Sequence, residues 1–294
     1  MIYGRIRLAL KAALMSVILF LAFDAIAQSR VLKPGERWDF FSEVKPNERY
    51  ILSFTARNDG PDSLENNSQI AEAFYDKRRE MHGLRLPGWG ITFTDRDLKG
   101  VPANLSSFHR VVLSSRDELQ RDAFFAPNRA ANVRIRFENP TRDATFYIKD
   151  VKLSPYIEKT VNINADFALG ERSFSGFSPT CGSSPRLRKT PEGTFLDVDG
   201  YTFIDTTPVV AGRVYRFEAQ LEKKVPRNPS VNLSFRDERG NGIADSGGLV
   251  WITEGDKPTV RDFTAPPKAV SVSAMINGAP GVSFKFIRLT EADR

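Results

Sequence analysis

The segment "EMHGLRLPGWGITFTDRD", with the nearby Tyr75, places an aromatic ring, Trp89, among Arg85, Asp95 and Arg96. Those residue types suit sugar binding, in which an aromatic face packs on the apolar face of a pyranose and planar polar groups bind its hydroxyls. The competing reading makes Trp89 a plug at the end of a sandwich and the charges solvated. Trp251, after "SGGLV", raises the same pair of readings. Arg134 and Arg136 sit on the opposite parity from Val133, Ile135 and Phe137, so both are expected to face away from a core. Two guanidiniums on one sheet face can bind carboxylated or sulfated glycans bidentately, or can simply be a solvated face.

Catalysis finds little support. G-x-S-x-G, H-E-x-x-H, a phosphate-cradling glycine loop and a Cys/His ligand cluster are all absent from the sequence. His82 and His109 form a conceivable acid/base pair but read more simply as loop residues. The single cysteine, Cys181, excludes an internal disulfide and, without a neighbouring histidine, is assigned no chemistry.

The elements that must position these residues appear twice. "RDAFFAPNRAANVRIRF" from Arg121 is echoed by "RDFTAPPKAVSVSAMI" from Arg261, and "EVKPNERYILSFTAR" from Glu43 by "PVVAGRVYRFEAQ" from Pro208. Each copy shows alternating apolar positions after a turn signal, the pattern of half-buried strands. "IAEAFYDKRREMHG" is aligned with "VNLSFRDERGNGI", pairing Phe74 with Phe235 and Asp76 with Asp237. The closing segments "ATFYIKDVKLSP" and "GVSFKFIRLTE" share a break in phase that predicts a bulge. On this alignment the offsets are 165 at Tyr50/Tyr215, 161 at Phe74/Phe235 and 139 at Phe124/Phe263, placing 22 extra residues of the first copy in a long loop that holds Trp89. Long loops on rigid scaffolds often carry function, which makes the first copy the favoured binder. The expected fold class is all-β, two tandem antiparallel β-sandwiches over residues 29–155 and 160–294, with a linker near "SPYIEKT".

The order "V-x-P…Y-x-L-S-F-x-A-R", "F-Y-D-K-R", "FHRVV", "F-F-A-P…A-N-V-R-I-R-F" and "F-Y-I-K-D-V-K-L" resembles the jelly-roll carbohydrate-binding modules of galactose-binding-like fold. The second copy adds "NADFALGERSFSGF", similar to the entrance segment of such modules, of which the first keeps "GERWDF" with Trp38. The resemblance implies a jelly-roll topology and a structural calcium in the first domain. Asp150 matches its place in the closing strand, with Glu36 or Asp39 as partners, whereas Arg288 stands there in the second copy.

Residues 1–27 read as a secretory signal peptide: Arg5, Arg7 and Lys11, an apolar run from Ala12 to Phe23, and "AIA" before the expected cut at Ala27. A formal charge of +6, with 42 basic residues scattered among 36 acidic ones, points away from nucleic acid and toward an acidic polysaccharide or envelope surface. The sequence therefore predicts a periplasmic or secreted, non-catalytic protein that binds envelope polysaccharide or exopolysaccharide. The alternatives are a periplasmic assembly or adhesion factor with a protein partner in polysaccharide export, and a glycan lyase or hydrolase with an unrecognised site.

Overall fold

The computed structural model describes residues 29–60, 87–101, 110–111, 115–169, 177–179, 185–244, 247–253, 255 and 257–292. Among them every regular element is a strand and every pairing is antiparallel. The signal segment, Tyr75, His82, Arg85, His109 and Cys181 lie outside the described residues.

The first half contributes β1 (Arg30–Leu32), β2 (Arg37–Glu43), β3 (Arg49–Asn58), β4 (Gly88–Thr94), β5 (Gly100–Val101), β6 (Arg110–Val111), β7 (Glu118–Phe125), β8 (Asn132–Glu138) and β9 (Phe146–Pro155). They form two sheets, ordered β1-β9-β3-β7 and β2-β8-β4-β5, with β6 beside β4. The second half contributes β10 (Phe177–Pro179), β11 (Arg186–Thr190), β12 (Gly193–Val198), β13 (Tyr201–Pro208), β14 (Val214–Leu221), β15 (Ser230–Arg236), β16 (Gly248–Trp251), β17 (Thr259–Thr264), β18 (Ser271–Asn277) and β19 (Val282–Glu291). Its sheets run β10-β13-β18-β15-β16 and β11-β12-β19-β14-β17.

Strict alternation makes each sheet two-faced. In β3 and β8 buried and half-exposed residues alternate along the whole strand. The buried positions of the two sheets meet: Leu52, Phe54, Phe124, Phe146 and Ile148 from one pack with Phe93, Val133, Ile135 and Phe137 from the other. In the second half Phe217, Phe284 and Ile287 meet Leu233, Phe235, Val272 and Ile276 in a separate cluster. Each half is thus a pair of sheets closed on its own core, the sandwich arrangement.

The repetition extends to single hydrogen bonds. Tyr50 and Tyr215 each accept a backbone N–H from five residues upstream, Lys45 and Val210, both at 2.8 Å. Asn47 and Gly212, with φ of 61° and 78°, donate their N–H groups to Ala126 and Ala265, again both at 2.8 Å. The expected bulge is present in both closing strands, as register shifts of β9 against β3 and of β19 against β14.

One alignment is corrected by the register. Phe235 pairs with Val272 as Phe93 pairs with Val133, and Val231 pairs with Ile276 as Trp89 pairs with Phe137. The counterpart of Phe235 is therefore Phe93, not Phe74. The following turns agree: Asp95 accepts the N–H groups of Asp97 and Lys99, and Asp237 those of Arg239 and Asn241. Leu98 and Gly240 hold the same left-handed position at φ 61° and 80°. Tyr50 to Phe93 spans 43 residues and Tyr215 to Phe235 only 20, so the extra length falls between β3 and β4. Trp89 lies outside that insertion, on a strand common to both halves.

The segment from Tyr156 to Leu169 is built into both halves. Its Tyr156, Ile163 and Leu169 cover Ile51, Ala123 and Phe125 on the far face of the β3–β7 pair. Arg49 donates to the carbonyls of Glu158 and Thr160. On the other side Asn162, buried, clasps β19 by donating to Ile287 O at 2.8 Å and accepting from Leu289 N at 2.7 Å. The junction is therefore a packed wedge.

Candidate functional site

Because inward positions fill the cores, ligand chemistry falls to the outward face of the β2-β8-β4 sheet and its counterpart, β13-β18-β15-β16. In the second half the register sets side chains in rows across the strands. One row runs Tyr201, Asn277, Ser230, Trp251 and the next runs Phe203, Met275, Asn232, Leu249. Tyr201, Phe203, Leu249 and Trp251 are exposed, with Trp251 at 56%. With strands about 4.8 Å apart, Tyr201 and Trp251 stand about 14 Å apart, with the half-buried Asn277 and the buried Ser230 between them. No side chain in either row is charged. Arg236, the nearest cation along β15, is turned to Ser273 Oγ at 3.1 Å and Gly240 O at 2.9 Å.

The same face of the first half has different chemistry. Arg37, Asp39, Phe41 and Glu43 of β2 stand opposite Glu138, Arg136, Arg134 and Asn132 of β8. Beyond β8, β4 offers only Gly88, Gly90, Thr92 and Thr94 on this parity. Arg136 forms a two-pronged pair with Asp39 at 2.8 and 3.0 Å, which holds the Asp39 carboxyl below its ordinary value against the opposing effect of partial burial. A groove of about 900 Å³ lies at the Thr92 and Thr94 end of this face, and its lining also includes Phe41, Ile91, Leu98, Asn132 and Arg134.

The residues singled out from sequence are thus separated. Trp89 is 3% exposed, packs edge-on against Phe54 at 4.9 Å and donates Nε1–H to the Asp122 carboxylate at 3.1 Å. It is a core residue, and the surface platform expected of it is withdrawn. Asp95 organises its own turn, with Arg129 at 3.5 Å, and Arg96 is exposed on that turn. Arg134 and Arg136 face outward as their parity predicts, but Arg136 is committed to Asp39.

The calcium expectation does not fit. Asp39 is engaged by Arg136, a Glu36 oxygen accepts Lys33 N, and Asp150 lies exposed on the other sheet, in the β9 bulge at φ 57°. Among the described residues no group of three or more His, Cys, Asp or Glu could hold a metal ion. Register also sets Lys152, not Asp150, at the position of Arg288, opposite Ser53 and Glu218 respectively.

Tyr201, Phe203, Asn232, Asn277 and Phe41 were not singled out from sequence. Their signal was parity alone: "YTFI" puts Tyr201 and Phe203 on one face and the buried Thr202 and Ile204 on the other.

No family model matches the chain, and no curated protein matches it. Solved structures to which it is similar include the N-terminal CBM22-1–CBM22-2 tandem domain of Paenibacillus barcinonensis Xyn10C, at 8% identity over 91% of this chain and 92% of that one, with a TM-score of 0.31. The family 16 carbohydrate-binding module-2 gives 15% identity over 45% of this chain and 99% of that one, with a TM-score of 0.33. TmCBM61 in complex with beta-1,4-galactotriose gives 16%, 46%, 100% and 0.31 in the same order. These likenesses are distant, and the functional reading rests on this chain's own side chains.

Proposed function

We propose that the chain is an exported, non-catalytic glycan-binding protein with two jelly-roll domains, and that the second binds a neutral glycan across its β13-β18-β15-β16 face. The observation that carries this reading is the uncharged strip bounded by Tyr201 and Trp251. Exposed rings pack on the apolar faces of sugar units, and the Asn277 and Asn232 amides between them serve hydroxyls in both donor and acceptor sense. A glycan running across the strands meets the two rings in succession. The amides favour a sugar over an apolar protein partner, since a protein-binding patch concentrates apolar area at its centre. Hydrolytic or lyase chemistry has no carboxylate in these rows to use.

The test is a glycan array on the exported chain, followed by calorimetry of the best neutral oligosaccharide against Tyr201→Ala and Trp251→Ala. Each substitution is expected to weaken binding about tenfold or more, about 1.4 kcal/mol, without lowering the melting temperature. Unchanged affinity in both folded variants would remove the strip from the site.

A further inference from the structure

The groove of the first half has a different occupant. Three arginines lie on its sheet face. Arg37 has Glu138 at 3.7 Å and Arg136 has Asp39 on both prongs. Arg134 alone of the three meets no carboxylate among the described residues. Its Nε donates to Thr92 Oγ1 at 3.2 Å, which fixes the guanidinium plane and leaves the two terminal nitrogens to bind elsewhere. Phe41 stands directly across the strand pair from Arg134 and is 65% exposed. Thr92 and Thr94 line the groove beside Arg134 and Asn132, and in the adjoining row Gly90 adds no side chain, an added Cβ there meeting nothing within 4 Å. Asn132 and Glu43 continue the groove one row further on.

A planar, charged fork beside an exposed aromatic ring matches a ligand with a carboxylate on a ring that has an apolar face. We propose that this groove is a second binding site, for a carboxylated pyranose of an acidic polysaccharide, with the acid on Arg134 and the sugar ring against Phe41. Asn132 and Glu43 then take hydroxyls of the neighbouring unit. The counterpart of Arg134 in the second half is Ser273, opposite Ser234 as Arg134 is opposite Thr92, so acid recognition belongs to the first half. The site is independent of the aromatic strip, and each can fail without the other.

Calorimetry of the full exported chain would use uronate oligomers of three kinds, galacturonate, mannuronate–guluronate and glucuronate-containing, each compared with its methyl ester. At least one acid is expected to bind, its ester about tenfold more weakly, because esterification removes the charge that the guanidinium holds. Arg134→Gln should reduce the acid to the affinity of its ester, Arg134→Lys should recover only part of the loss, and Phe41→Ala should weaken acid and ester alike. Binding of the neutral glycan should be unaffected by all three substitutions, and thermal melts establish that each variant is folded. Failure of every uronate to bind, equal affinity for acid and ester, an unaffected Arg134→Gln variant, or poly-glutamate binding as tightly as the best uronate would each overturn the proposal.

Discussion

Two tryptophans of similar sequence surroundings, each just after a Gly-containing segment, end in opposite environments. Trp89 falls on the inward parity of β4 and is sealed against Phe54 with its N–H on Asp122, whereas Trp251 closes the outward row that begins at Tyr201. Parity within one strand is legible from sequence, as the outward Arg134 and Arg136 illustrate. Whether an isolated aromatic beside glycines points in or out is not, because that depends on which strand pairs with it. Trp89→Ala should therefore cost about 3–5 kcal/mol of stability, the usual range for deleting a buried large aromatic. The neutral-glycan affinity of the remaining folded protein should be unchanged. Denaturant titration with parallel calorimetry checks this, and a fully stable variant with lost affinity would return Trp89 to the site.

At the scale of elements, turns and closing strands repeat so faithfully that the duplication is visible in sequence. One strand is nevertheless ambiguous in the sequence, because Phe74-Tyr75-Asp76 and Phe93-Thr94-Asp95 offer the same aromatic-x-Asp signature. Only the cross-strand partners, Val133 for Phe93 and Val272 for Phe235, distinguish them. The junction was legible as a linker but not as a wedge, since the contacts of Asn162 and Arg49 reach across the chain. Tyr156 in that wedge has its phenol pushed above its ordinary value of 10.0, first by burial and then by the charge of Glu158. An acid whose folded form holds its proton more tightly destabilises the fold as pH rises past the unfolded value. Stability should therefore be fully present below about pH 10 and fall above it, and Tyr156→Phe should flatten that limb. Melting curves across the alkaline range measure it. An identical alkaline slope in Tyr156→Phe would show that the phenol is not buried in the wedge.

Over the whole molecule, one sheet architecture presents two chemistries. The first half has arginines, carboxylates and Phe41 over a floor of glycine and threonine. The second has rings and amides. The two halves share inward positions and turns and differ in their outward rows, as expected when packing constrains one face of a sheet and ligand the other. This is why the fold class was readable from repeated inward patterns, while the better neutral-glycan face was not: its rows exist only after four strands are aligned. The proposed sugar platform of the second-half face has Trp251 at its edge. Of the three tryptophans, Trp89 is buried, Trp38 is half-buried against the core and Trp251 is 56% exposed, so Trp251 contributes most of the solvent-sensitive emission, and Trp251→Phe isolates its share. The direct measurement is tryptophan fluorescence during titration with the best neutral oligosaccharide from the array. A sugar stacked on Trp251 should give a saturable blue shift that disappears in Trp251→Phe and weakens in Tyr201→Ala. Saturable binding by calorimetry with no change in Trp251 emission would contradict it.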